Sequence, residues 1–136
     1  MDLGSRIIKV NHAGEHGAIQ IYTGQIMMAR LTAPALVEEL IEFRSHEMRH
    51  REIFRAELAR RGARRCRSYW LCGIGGWVLG IVTGLMGAGA ISATTVAVEQ
   101  VVLRHLEHQL AHLRHSDPNA VVAASTEAVI WVGMRA

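Results

Sequence analysis

Ser45-His46-Glu47-Met48-Arg49-His50 places a carboxylate and an imidazole three residues apart inside a long helical pattern. At about 100° per residue, Leu36, Leu40, Phe43, His50 and Phe54 fall within roughly a quarter-turn of Glu47. The stripe that should face a core therefore carries Glu47 and His50 in its middle. A bare carboxylate there costs on the order of several kcal/mol unless it is paired, protonated or bound to a cation. Two arrangements meet that demand. One is a buried Glu–Arg pair beside a hydrogen-bonded His. The other is Glu-x-x-His projecting into a bundle, the pattern of helical di-metal carboxylate sites.

The rest of the chain suits such a bundle. Its 136 residues fit one domain with a sizeable core. Hydrophobic residues make up 50% and aromatics only 5%, so the core is aliphatic. Two prolines and frequent Ala, Leu and Glu favour helices, and no alternating strand pattern is present. An all-α domain follows. Two cysteines, Cys66 and Cys72, match no zinc or redox spacing, which argues against thiolate–metal and iron–sulfur chemistry. They suggest a reducing compartment. The N-terminus carries Asp2, Arg6 and Lys9 and no apolar signal region.

Arg6 to about Arg30 reads as a first helix. Ile8, His12, Glu15, Ile19 and Tyr22 step by four and three along one face. Gly14 and Gly17 flank Glu15; they permit close backbone or ligand approach, or mark a poorly formed helix start. A second helix restarts at Pro34 and runs to about Arg61, with Gly62 as its stop. Its outer face carries Glu38, Glu42, Arg49 and Glu52, an ordinary solvated face.

Tyr69 to Val98 contains no charged residue. By length it is a transmembrane candidate, and Gly76, Gly80 and Gly84 form a doubled G-x-x-x-G suited to close packing. Its richness in Gly, Ser and Thr suits equally a helical hairpin that dips into one leaflet or packs on a partner. Just before it, Arg60, Arg61, Arg64, Arg65 and Arg67 cluster in a chain of net charge +3. No nucleic-acid motif accompanies them, so the cluster reads as a contact for an anionic membrane surface rather than for nucleic acid.

A further helix continues to about His115. Glu99, Leu103, Leu106, Leu110 and Leu113 share one seam, in which Glu99 is the only charge. His105, His108, His112 and His115 stack on the opposite face; four such imidazoles could bind metal, but they read as solvated or interfacial because no carboxylate or cysteine joins them. Asp117-Pro118 opens a last helix to about Trp131.

Three helices thus each place a carboxylate on an inward stripe, and one adds a His. Metal coordination offsets these burial costs together. Carboxylates with imidazole suit iron or manganese. A complete di-iron bundle needs a Glu from each of two helices and Glu-x-x-His from each of two others. This chain supplies Glu15, Glu47 with His50, and Glu99; no second Glu-x-x-His follows Asp117.

At these residues the sequence resembles the demethoxyubiquinone hydroxylase family. Arg6-Ile7-Ile8-Lys9-Val10-Asn11-His12-Ala13-Gly14-Glu15-His16-Gly17-Ala18 and Ile21-Tyr22-Thr23-Gly24-Gln25 look like the family's opening. Glu47-Met48-Arg49-His50 looks like its first Glu-x-x-His, and Thr95-Val96-Ala97-Val98-Glu99 like its third-helix ligand segment. The Gly-rich run and Asp117-Pro118 also fit, so the likeness reaches about residue 120. It implies a single ferritin-like domain over residues 1–136 with an incomplete fourth helix. It implies a carboxylate-bridged di-iron centre that hydroxylates a polyprenyl methoxy-benzoquinol with dioxygen, late in ubiquinone synthesis. NADH would be the reductant, by way of the quinone. Glu15 would be a terminal ligand to the first iron, Glu47 a bridge, His50 a ligand to the first iron and Glu99 a ligand to the second. Expected partners are the membrane surface and other ubiquinone-biosynthesis proteins or a second copy of the chain. The expected location is peripheral on a membrane, which in a bacterium is the cytoplasmic face of the inner membrane.

From Ser125 onward the likeness ends; a truncation or a shifted reading frame would produce such a tail. Three outcomes stay open: a one-iron site from Glu15, Glu47 and His50, a missing pair supplied by another subunit, or an inactive domain. The last makes the chain a non-catalytic module that binds quinone or a biosynthetic partner. A small integral membrane protein is a further reading of Tyr69 to Val98.

Overall fold

A computed structural model of the chain describes residues 3–113, without the side chains of residues 105, 106 and 108–113. The predicted helix from Asp117 and His115 of the histidine stripe lie outside these residues, as do the side chains of His105, His108 and His112. The described residues form four α-helices and no strand: α1 (Leu3–Thr32), α2 (Val37–Arg60), α3 (Tyr69–Met86) and α4 (Ala88–Leu113). The architecture is the all-α, ferritin-like bundle that the sequence predicts.

α1 runs unbroken through Gly14 and Gly17, so these glycines do not mark a poor start. The periodic stripe explains why: Ile8, His12, Glu15, Ile19 and Tyr22 are all buried. Tertiary burial of that face outweighs the roughly 1 kcal/mol that each glycine costs in a helix. A 3-10 turn over Pro34–Leu36 reverses the chain into α2. Ile8 packs on Phe54 and Leu58 at one end. Tyr22, Ala29, Ala33 and Leu40 share a core cluster at the other, so α1 and α2 are antiparallel. α2 stops where Gly62 takes φ 65°. Gly62 N–H then donates to Ala59 O (3.1 Å) and Ala63 N–H to Leu58 O (3.0 Å), closing the last carbonyls.

The uncharged run divides into two helices. Gly87, at φ 99°, is the residue between α3 and α4, a conformation that L side chains rarely adopt. α3 lies along α1 in the same direction. His12 and His16 stack on Tyr69 near the start, and Gln25 Nε2 donates to Thr83 Oγ1 (3.0 Å) near the end. The glycines make this approach possible. A Cβ at Gly76 would strike Gly17 O, one at Gly80 would strike Ile21 O, and one at Gly24 would lie 2.7 Å from Trp77 O. α4 returns antiparallel to α1: Ala18 and Tyr22 lie opposite Thr94 and Val98, while Val10 and Gly14 lie opposite Val101 and Val102.

Candidate metal centre

α1 presents Glu15 and α2 presents Glu47 and His50, each at the centre of its buried stripe. One ligand atom from each lies within 4.8 Å of the other two. His50 Nδ1 is 3.5 Å from Glu47 Oε2 and 3.9 Å from Glu15 Oε2. A cation bonded at about 2.0–2.2 Å to each would hold such atoms up to roughly 4.4 Å apart, so the triad needs little closing.

The surroundings disfavour the Glu–Arg alternative. Glu47 is 1% exposed and His50 is fully buried. Glu47 Oε1 and both ring nitrogens of His50 have no hydrogen-bond partner among the described residues. Arg49, between the two, is exposed, and Arg51, next after His50, donates to His16 Nδ1 at 3.0 Å. A buried carboxylate beside an imidazole whose nitrogens bond nothing is costly as it stands. One divalent cation among the three ligand atoms satisfies them together, so this donor set fits a metal.

Glu99, the fourth predicted ligand, stands outside the triad. It is half-buried on α4 and lines a groove of about 230 Å³ with Leu36, Leu40, Phe43 and Thr95. Its charge still acts on the centre through Tyr22. Burial first, then Glu47, Glu15 and Glu99, hold the Tyr22 phenol well above its usual pKa against the Thr95 hydroxyl, so it stays protonated. Periodicity put Tyr22 on the stripe but gave no sign that three carboxylates would surround it.

A shell of rings around the centre also escaped the sequence. Tyr69 stacks on His16 at 4.0 Å and on His12 at 5.0 Å. Gly73 leaves the space that His16 Nε2 occupies. Burial first, then the Arg51 guanidinium, lowers the pKa of both imidazoles, which favours their neutral form. The missed signal was that His12 and His16 bracket Glu15 on one helix, with Tyr69 opening the uncharged run.

A helical bundle that buries two carboxylates and an imidazole at one point has the frame of the carboxylate-bridged metal proteins. Comparison with known proteins specifies the lineage. The family model described as "Ubiquinone biosynthesis protein COQ7" matches residues 2–131, and the chain belongs to that family. The chain is 37% identical over 109 residues to a Dictyostelium discoideum protein named NADPH-dependent 3-demethoxyubiquinone 3-hydroxylase, mitochondrial; the match covers 79% of this chain and 49% of that one. It is 32% identical over 114 residues to the Mus musculus protein of the same name, covering 83% and 51%. It is 35% identical over 109 residues to the Rhodospirillum rubrum 3-demethoxyubiquinol 3-hydroxylase, covering 79% and 50%. The chain spans about half the length of the curated relatives it matches.

Proposed function

We propose that this chain is an iron-dependent hydroxylase of ubiquinone biosynthesis, acting on a demethoxyubiquinol with dioxygen. The observation that carries the reading is the convergence of Glu15, Glu47 and His50, with Glu47 Oε1 and the His50 nitrogens hydrogen-bonded to nothing among the described residues. The relatives' names supply the substrate class and a reduced nicotinamide nucleotide as electron source, NADPH in their names where the sequence resemblance implied NADH.

Glu15, Glu47 and His50 would hold the iron, with Glu99 as the further ligand toward a second. Iron held there would supply dioxygen activation, and the two electrons that the hydroxylation consumes would come from the reduced nicotinamide nucleotide. Tyr22 keeps its phenolic proton beside the three carboxylates. A largely apolar cavity of about 650 Å³ reaches Glu15 between α1, α3 and α4, lined by Gly14, Ala18, Ile21, Leu79 and Val98. It would admit a quinol with the start of its isoprenoid tail and exclude water from the carboxylates.

α3 also supports a peripheral membrane location. Its glycine face is covered by α1, while Leu71, Ile74, Trp77, Val78, Val82 and Leu85 on it are exposed. α3 is long and apolar enough to cross a membrane. Spanning would draw the stretch of α1 that runs alongside, with His16, Gln25 and the neighbouring Glu15, into hydrocarbon at high cost. The hairpin therefore lies on the bilayer that stores the lipid substrate, on the cytoplasmic face in a bacterium.

The test is paired. Iron per chain is measured on purified protein, and hydroxylated product is measured with demethoxyubiquinol, dioxygen and NADPH or NADH. Stoichiometric iron with product formation is expected. Iron content unchanged by Glu47→Ala with His50→Ala removes the site, and iron binding without product leaves the non-catalytic reading.

A further inference from the structure

The arginine cluster does not act as a unit. Arg60 and Arg61 both bond to Glu57, and Arg55 is paired with Glu52. Arg64, Arg65 and Arg67 have no carboxylate partner among the described residues. They line a cavity of about 580 Å³ between the end of α2 and the start of α3, together with His12, Tyr69 and Trp70. The Arg65 guanidinium lies over the Tyr69 ring at 5.1 Å and the Trp70 ring at 5.0 Å. Trp70 meets Tyr69 edge-on at 87° and remains 59% exposed, so one indole face is open. The N-terminus of α3, an 18-residue helix, opens onto the same place and adds positive potential.

Three unneutralised guanidiniums in a concavity call for an anion. Their planar forks match phosphate oxygens, and Arg65 is already oriented by its two rings. An open indole beside them offers a stacking surface for a planar base. The cavity is of nucleotide size, within the usual range for small-molecule sites. We propose that this pocket binds a phosphorylated nucleotide, with its phosphates on Arg64, Arg65 and Arg67 and its base against Trp70. The choice of a pyridine dinucleotide rests on the hydroxylase reading above; the phosphate chemistry does not. His12 belongs to both the pocket and the ring stack beside Glu15, so the bound nucleotide sits one helical turn from the carboxylate centre along α1.

Calorimetric titration of the whole chain with NADPH, NADH, AMP and inorganic phosphate tests this. Saturable NADPH binding is expected, weakened about tenfold or more by Arg65→Ala and by Arg67→Ala. Trp70→Leu should weaken NADPH and AMP while phosphate binding is unchanged. All three positions are exposed, and unchanged circular dichroism confirms folding. The Glu47→Ala/His50→Ala protein should still bind NADPH, which separates this site from the metal reading. Equal affinities across the arginine variants overturn the proposal. So does an outcome in which no nucleotide saturates and the same variants lose only flotation with phosphatidylglycerol vesicles, which assigns the arginines to lipid headgroups.

Discussion

Glu15 Oε2 on α1 and His50 Nδ1 on α2 lie 3.9 Å apart, although 35 positions separate them in the chain. The same nitrogen faces Glu47 Oε2 at 3.5 Å. One imidazole N–H can serve only one of two carboxylates well, whereas a cation can serve all three groups. This relation between two helices turns two amphipathic stripes into a candidate metal centre.

Removing the donors should therefore help folding and abolish loading. Glu47→Leu with His50→Leu should leave no bound iron by elemental analysis. In metal-free protein, the same pair should raise unfolding free energy by about 1–4 kcal/mol, because well-packed apolar groups replace buried ionisable ones. A metal-free double variant less stable than the metal-free parent contradicts the account of these buried donors as destabilising without a cation.

Iron itself should stabilise the parent. A ligand at about 100 times its dissociation constant adds roughly 2.7 kcal/mol. Chelation should lower the thermal midpoint of the parent and leave that of the leucine pair unmoved, as followed by circular dichroism.

The α1–α3 seam predicts opposite signs for two glycines. A Cβ at Gly24 would sit 2.7 Å from Trp77 O and Ile81 N, which are backbone atoms that cannot swing aside. Gly24→Ala should cost about 1–3 kcal/mol. Gly75 has nothing within 4 Å of its added Cβ, so Gly75→Ala should gain about 0.5–1 kcal/mol of helix propensity. Guanidinium denaturation reads both.

Acid stability should depend on Glu57. It accepts from Arg60 and Arg61, and these guanidiniums hold its carboxyl below the usual carboxylate value. A depressed folded pKa gives stability above the unfolded value of 4.5 that is lost as pH falls through the lower folded one. Glu57→Gln should be less stable than the parent at pH 7, and the gap should close below about pH 4.5 in denaturant titrations. Arg61 also donates to Ser5 Oγ at 3.2 Å, so some of the loss should appear as fraying of α1.

Membrane attachment should follow the exposed face of α3. Leu71→Ser with Val78→Ser changes residues that are exposed and leaves the glycine seam intact. Such protein should float less with vesicles while retaining iron, and alkaline carbonate should release the parent from membranes. Retention of the parent in the carbonate pellet contradicts the peripheral reading.

Much of this was legible in the residues. Period 3.6 placed Glu15, Glu47 and His50 on inward faces, because the other members of those stripes, His12 apart, were largely apolar. Gly76, Gly80 and Gly84 announced close packing but not its partner, since many surfaces can fill a small-residue groove. The break at Gly87 was hidden within a run of several glycines, of which only this one between the two helices needed a positive φ. The separation of Arg60 and Arg61 from Arg64, Arg65 and Arg67 was invisible too. It depends on where Gly62 ends α2, which decides which guanidiniums reach back to Glu57.

Gly87 also sets how far Glu99 stands from the other acids. A single hinge residue fixes the launch angle of α4, and Glu99 rides about 18 Å along that helix. At such an arm, a ten-degree swing at the hinge sweeps the carboxylate through on the order of 3 Å. Whether this acid joins the other three groups is thus governed by leverage from one glycine, far from any ligand.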